Sequence, residues 1–369
     1  MEKGSKIIRS VALYRVLALI IVLVYHLVGI PSWALKIPHV FTNQLGKPIL
    51  PENSLNLVSL RIGNYLHTNF GAFAVMMFFI ASGYLVSKMM DRYNRREFLV
   101  NRAISSFPTL WVCLITIAIF VERQGITFTF ADYLASGFPF LPLPFGQFMS
   151  DVLWTLRIEM KFYILTALFY RRRKQMVFYG YMLMLLLALF YHEFRTAWVL
   201  EQLQDLLFMG FAFLGVVIEA VYRKQEYKGL IVFFTLLNLL MFRIRQFASL
   251  DEGLTYSNCA TQIIPLVLFL LLLKLEERQP YVYEVIPHFV YSIGKIVYPF
   301  YLTHVPCGLT IMYQLSLAGW ENPYAICLCG VAVSFAVAGL VYLVVTKPSG
   351  MLMKRAVAAM RERRRSEDV

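Results

Sequence analysis

The chain has 369 residues, of which 59% are hydrophobic and 15% charged, with a formal net charge of +13. Soluble domains carry about 25% charged residues, so this composition excludes an ordinary water-soluble globule, and the mean hydropathy of +0.62 makes lipid the solvent for most of the chain. The positive charge does not point to nucleic acid, because the basic residues cluster between apolar stretches, where helices leave a bilayer and meet anionic headgroups.

A membrane helix needs about 20 mainly apolar residues. The sequence offers ten such spans, near 11–30, 70–90, 104–121, 153–170, 176–192, 199–222, 229–243, 261–275, 296–318 and 323–346. The expected fold is therefore all-α: a polytopic membrane helix bundle of about ten transmembrane helices. The first span follows Lys3, Lys6 and Arg9. It is too long for the apolar region of a cleaved leader and lacks a small-residue cleavage site, so it reads as a membrane helix.

If the N-terminus is cytoplasmic, the outer segments hold only Lys36, Lys47, Arg61, Arg123, Arg195, Arg243 and Arg245 of the 35 basic residues. Nearly all the rest fall on the inner side, which sets both termini in the cytoplasm and the protein in a cell inner (plasma) membrane. Two outer segments are long, 31–69 with Pro31, Pro38, Pro48 and Pro51, and 122–152 with Pro139, Pro142 and Pro144. They are expected either to shape a substrate entrance or to serve as plain linkers. Residues 1–350 form the membrane domain and 351–369 a basic cytoplasmic tail, whose end from Arg361 is expected to fray. The five cysteines are odd in number, fit no disulfide or zinc spacing, and read as small buried apolar residues.

Ionisable groups inside a span are costly and are functional candidates by default. The first span holds Arg15 and His26. Eleven residues is about three helical turns, so both share a face, roughly 16 Å apart along the axis. Taken singly, Arg15 could snorkel to the inner headgroups and His26 could be satisfied by a backbone carbonyl. The fourth span carries Glu159 about 9 Å below its outer end, at a depth similar to that of His26. Such a carboxylate can fix the tautomer of a nearby imidazole. Alternatively, Glu159 pairs with Arg157 or Lys161. Ser82, before Gly83 in the second span, and His304, in the ninth, fall with Arg15 and Arg102 in the inner half. Gly83 and Ser82 would serve equally for close helix packing.

These residues resemble the signatures of the membrane acyltransferase-3 family. Arg15-x10-His26 is similar to the family's first-helix pair. Phe78-Phe79-Ile80-Ala81-Ser82-Gly83-Tyr84 resembles its FF-x-x-SG-[YF] segment, and Phe98 to Trp111, with Arg102 and Pro108, its basic-then-proline stretch. Trp154-Thr155-Leu156 with Glu159 and Phe162-Tyr163 resembles WSL-x-x-E-x-x-FY. Tyr291-Ser292-Ile293-Gly294 followed by Tyr301-Leu302-Thr303-His304-Val305-Pro306 resembles SYG…YL-x-H-x-P. Two positions depart from the pattern: Ser105 stands where a second arginine is common, and Thr346 where an acidic residue often precedes Lys347-Pro348.

The resemblance implies an O-acyltransferase, typically an O-acetyltransferase, acting on envelope or extracellular carbohydrate. It implies no permanently bound cofactor and no metal. The donor substrate would be a cytoplasmic acyl-CoA such as acetyl-CoA, and the acceptor a carbohydrate or lipid-linked glycan. His26 and Glu159 are then the catalytic candidates, and Arg15, Ser82, Arg102 and His304 the donor-binding ones. Arginine suits the phosphates of CoA through charge-assisted, bidentate bonds. His26 would act either as general base or as a nucleophile. With no hydrolase-like domain appended, transfer would finish within the membrane domain or be handed to another protein. Two rival readings use the same polar residues: an exporter of a polar or lipid-linked saccharide, and a non-catalytic member of a polysaccharide assembly.

Overall fold

A computed structural model describes residues 9–29, 61–63, 65, 69–123, 127–141, 147–194, 196–224, 226–249, 259–286 and 288–367. Most of the outer segment 31–69, the start with Lys3 and Lys6, and Pro142, Pro144 and Val369 lie outside the described residues. Among the described residues every regular element is helical. In chain order these are α1 (Arg9–Leu23), continuing as a π-helical turn π1 (Val24–Gly29), α2 (Phe70–Arg92), α3 (Arg95–Glu122), α4 (Phe130–Gly137), α5 (Leu153–Leu168) and α6 (Arg173–Phe194). There follow α7 (Ala197–Lys224), α8 (Gly229–Ser249), α9 (Cys259–Arg278), α10 (Val282–Val285), α11 (His288–Leu317), α12 (Pro323–Val341), the π-turn π2 (Tyr342–Thr346) and α13 (Lys347–Glu367). Each of the ten expected spans falls on a helix, and among the described residues seven helices are long and apolar enough to cross a membrane. The protein is an all-α polytopic bundle.

The chain divides into two compact units. The first comprises the chain up to Ile21, Gly63–Arg92 and Lys161–Gly294. Its centre is α7, with 94% of its apolar window buried against 33% for α6 and for α9. A helix hydrophobic on every side belongs in the middle, while α6 and α9 turn apolar faces outward to lipid. α2 packs on α7 through two glycines. A Cβ on Gly83 would strike the Ala212 backbone, and one on Gly215 would lie 2.7 Å from the Tyr84 nitrogen. Small residues allow this approach where no hydrophobic effect drives helices together.

Ionic groups in this unit are satisfied locally. Arg173 donates through Nε to Ser87 Oγ at 2.8 Å and contacts Asp91 at 2.7 Å. Ser87 donates to Glu219 at 2.8 Å, and Arg223 joins Glu219 to Asp91 at 3.2 and 3.1 Å. Lys161 donates to Asp205 at 2.7 Å and to Gln202 at 2.6 Å. The first N–H groups of α1, which have no intrahelical acceptor, donate from Arg9 and Ser10 to the Glu276 carboxylate of α9 at 2.9 and 3.1 Å.

The second unit comprises Val22–Ile62, Tyr93–Met160 and the chain from Lys295. Asn94 and Glu97 form a capping box at the start of α3, so this helix begins nine residues before the expected span. Pro108 therefore lies inside it, and the nearby Ser106 carbonyl accepts from the Tyr298 hydroxyl at 3.2 Å. Leu110, Ile117, Met149, Leu156, Leu302 and Val341 share one core, and Leu27, Leu309, Met312, Ile326 and Cys327 another. A second capping box, Thr129 with Asp132, starts α4. The Gln147 N–H donates to Asp132 at 2.6 Å and the Met149 N–H to Ser136 at 2.9 Å, which ties the following segment to α4.

The tail expected to fray is helical through Glu367. It runs beside α3, with Arg361 bidentate on Glu97 at 3.1 and 3.0 Å and Met353 sulfur 2.9 Å from Asn101 Nδ2. The helix from Pro323 to Glu367 has 45 residues, about 67 Å, against a hydrocarbon core of about 30 Å. Its basic end must therefore leave the bilayer. Of the cysteines, Cys113, Cys307 and Cys327 are buried as expected, while Cys259 is exposed.

Candidate functional site

The second unit brings His26 and His304 together. His26 sits in π1, where the wider turn departs from the α-helical register that set its face in the sequence. Such π segments recur at functional sites. The Leu27 carbonyl of this turn receives the Cys327 thiol at 3.4 Å. His304 lies between two prolines of α11, Pro299 and Pro306, each of which deletes a helical N–H. Its ring is fully buried and stacks on Phe300, with centroids 5.3 Å apart and planes at 12°. His304 Nε2 is 3.0 Å from His26 Nδ1. His304 Nδ1 is 2.8 Å from the Tyr301 carbonyl and 3.1 Å from the Phe300 carbonyl. The His26 ring is half-buried, and the Val22 carbonyl, one turn back, acts on it electrostatically.

The sequence placed His304 in the inner set, away from His26. That depth assumed a helix beginning near residue 296. α11 begins at His288, so His304 stands sixteen residues from its start, and His26 stands seventeen from the start of α1. The two therefore reach comparable heights along their helices.

Glu159 reaches the same neighbourhood through α5. It follows Thr155 by one turn, on the same face. Thr155 Oγ1 is 2.9 Å from the Tyr301 hydroxyl, and the Glu159 carboxylate acts electrostatically on that phenol. Arg157 lies over the Phe148 ring at 5.8 Å, and Lys161 is held by Asp205 and Gln202. Arg102, on α3, folds onto the Asn101 amide oxygen, with Nε at 3.2 Å and Nη2 at 2.8 Å. Arg15 and Ser82 belong to the first unit, both half-buried, on α1 and α2. Next to Arg15, Tyr14 is buried and donates to the Pro265 carbonyl at 2.8 Å.

The sequence alone assigns no role to Tyr301 or Thr155, although both lie within the family's motifs. Their spacing was the available signal: Thr155 four before Glu159, Tyr301 three before His304. Among the described residues no group of three His, Cys, Asp or Glu side chains is placed to hold a metal ion. The arrangement offers a half-exposed imidazole backed by a buried one, with a phenol and a carboxylate nearby, which is the equipment for proton transfer to and from a hydroxyl.

Compared with curated proteins and with solved structures, the chain finds no match. A family model described as an acyltransferase domain matches residues 8–343, nearly the whole membrane domain, and the chain belongs to the acyltransferase-3 family.

Proposed function

We propose that this membrane acyltransferase is an O-acyltransferase, specifically an O-acetyltransferase, that uses cytoplasmic acyl-CoA to acylate a hydroxyl of an envelope or extracellular carbohydrate, with His26 as general base. The observation that carries the reading is the contact of His26, on its π turn, with the buried His304 at 3.0 Å. A hydroxyl is a poor nucleophile until a base takes its proton as it attacks.

The acceptor O–H gives its proton to His26 while its oxygen forms a C–O bond to the thioester carbonyl carbon. The C–S bond then breaks, and the departing thiolate takes the proton back from the imidazolium. Glu159, one turn from Thr155 and close to Tyr301, holds sugar hydroxyls or steadies the imidazolium charge. Arg15 and Arg102 bind the CoA phosphates and Ser82 lines the donor path; for these three the support is their place in the family's motifs. The enzyme works in the plasma membrane with both termini cytoplasmic.

The test is radiolabelled acetyl-CoA with the purified protein and candidate glycans. His26→Ala is expected to lose about 10²- to 10⁴-fold in label transfer, the range of general-base catalysis, while still folding in detergent. Undiminished turnover in that variant rejects the base assignment. Label that never reaches glycan with the unaltered protein rejects the acceptor class.

A further inference from the structure

We propose that His304 is a positioning residue that fixes the tautomer of His26, holding the proton on His26 Nδ1 and leaving His26 Nε2 as the basic nitrogen. The inference rests on the reading of His26 as general base. It starts from the two carbonyls at 2.8 and 3.1 Å from His304 Nδ1. A carbonyl oxygen only accepts, so two of them facing one nitrogen require that nitrogen to carry hydrogen. In a neutral imidazole the other nitrogen then holds a lone pair, and His304 Nε2 is an acceptor. The group it meets at 3.0 Å, His26 Nδ1, must therefore donate. Once Nδ1 of His26 is the N–H, its Nε2 is the lone pair, and that nitrogen lies on the far side of the ring from His304.

The chain is set over several contacts rather than one. Turning the His304 ring by 180° would exchange the bonded nitrogen for carbon and lose both carbonyl bonds. The stacked Phe300 ring and complete burial oppose that turn. Thr303 Oγ1 donates to the Pro299 carbonyl at 2.8 Å, and Ser334 Oγ donates to the Gly330 carbonyl at 2.7 Å and lies 3.4 Å from the His304 carbonyl. When His26 takes a proton from the acceptor, its Nδ1–H bond to His304 becomes charge-assisted and shortens. The developing imidazolium is thus stabilised without another buried charge. The expectation that His304 binds donor is replaced by a role one step removed from the reacting atoms.

The experiment compares the full-length protein with His304→Ala, His304→Gln and His26→Ala, using steady-state acetyl transfer and ¹⁵N spectra of histidine-labelled protein. There are six histidines, and the single variants assign the signals of His26 and His304. His304→Ala is expected to lower kcat by about a hundredfold or more, with the acetyl-CoA KM within about threefold, and to move His26 toward the Nε2–H form. The glutamine variant places an amide oxygen near the lost Nε2, so Nδ1–H returns and kcat recovers to within about tenfold of the unaltered protein. A His26 signal of the Nε2–H form in the unaltered protein overturns the proposal. So does a His304→Ala protein whose acetyl-CoA KM rises while kcat holds, since that is the mark of a donor ligand. Full activity in His26→Ala instead overturns the base reading, and with it the catalytic meaning of the tautomer, even where the spectrum shows Nδ1–H.

Discussion

Gly83→Ala tests the packing of α2 on α7, because the added methyl group has a defined and unyielding neighbour. Its Cβ would lie 2.6 Å from the Ala212 carbonyl carbon and 2.8 Å from the Ala212 Cα, with the carbonyl oxygen nearer still. Ordinary contact begins near 3.4 Å, so the helices must part by at least about 0.8 Å, since backbone cannot swing aside as a side chain does. A gap of 0.5–1 Å forfeits about a quarter to a half of each dispersion well along the seam. Overpacking of this kind costs about 1–3 kcal/mol, and membrane helices have little but such contacts to hold them together. The buried Ile80, Tyr84 and Ala212 line the same seam and lose contact together. The assay is the thermal midpoint of the purified protein in one detergent, with Gly339→Ala and Gly350→Ala as controls. At both control sites a Cβ meets nothing within 4 Å. There alanine is expected to be neutral or to stabilise by up to about 1 kcal/mol. A Gly83→Ala midpoint as high as those of the controls refutes the close-approach argument.

In the second unit, Gly308→Ala would place its Cβ 2.7 Å from Ser334 Oγ and 2.9 Å from Leu27 Cδ2. Leu27 adjoins His26, the proposed base, and a displacement of about 1 Å at a catalytic group can cost about 10²-fold. kcat is therefore expected to fall tenfold or more with the donor KM unchanged, and an unchanged kcat argues against a sensitive His26–His304 geometry. At the start of α4, partial burial works to raise the Asp132 carboxyl, but the Gln147 N–H and the Thr129 hydroxyl and N–H outweigh it, and the group sits below its ordinary value of 3.8. A depressed folded pKa gives stability that is complete above the unfolded value and lost as pH falls through the folded one. Pepsin cleavage around α4 should thus rise as pH drops below 3.8 in the unaltered protein. In Asp132→Asn it should already be high above that pH; equal cleavage of the two proteins above it removes Asp132 as the tie.

The all-helical fold was legible because lipid imposes length and apolarity on each span, and both are properties of the sequence alone. Gly83 was also readable as a point of close approach. Helix ends were less so. The segments before residues 104 and 296 are too polar to join an apolar window, yet Asn94 with Glu97 caps the first, and α11 starts at His288. That second error moved His304 by about two turns and separated it from its partner. The π turn at Val24–Gly29 left no local signature: its carbonyl at Leu27 is met by Cys327, three hundred residues away. The charge of the tail predicts fraying, whereas Arg361 is held by Glu97 and the ring of Tyr93, partners outside the tail.

The same distance in sequence explains why ionisable residues in spans divide into two kinds. Glu219, Asp91, Arg173 and Arg223 close a ring through Ser87 in which two carboxylates face two guanidinium groups. Each charge has an opposite partner, so the ring is neutral as a whole and its members have no proton to spare for chemistry. Removing one of them would strand the others, the costly outcome for buried ions. The His26–His304 pair meets the bilayer differently. His304 is satisfied by two carbonyls, and the two rings bond to each other in the neutral state, so neither demands a counter-ion. A group that rests uncharged and can hold a proton briefly is what a base needs at membrane depth. The test for function in such a helix bundle is therefore whether an ionisable side chain has its charge already answered, as Lys161 has from Asp205, or has a lone pair left over, as the proposed tautomer gives His26 at Nε2.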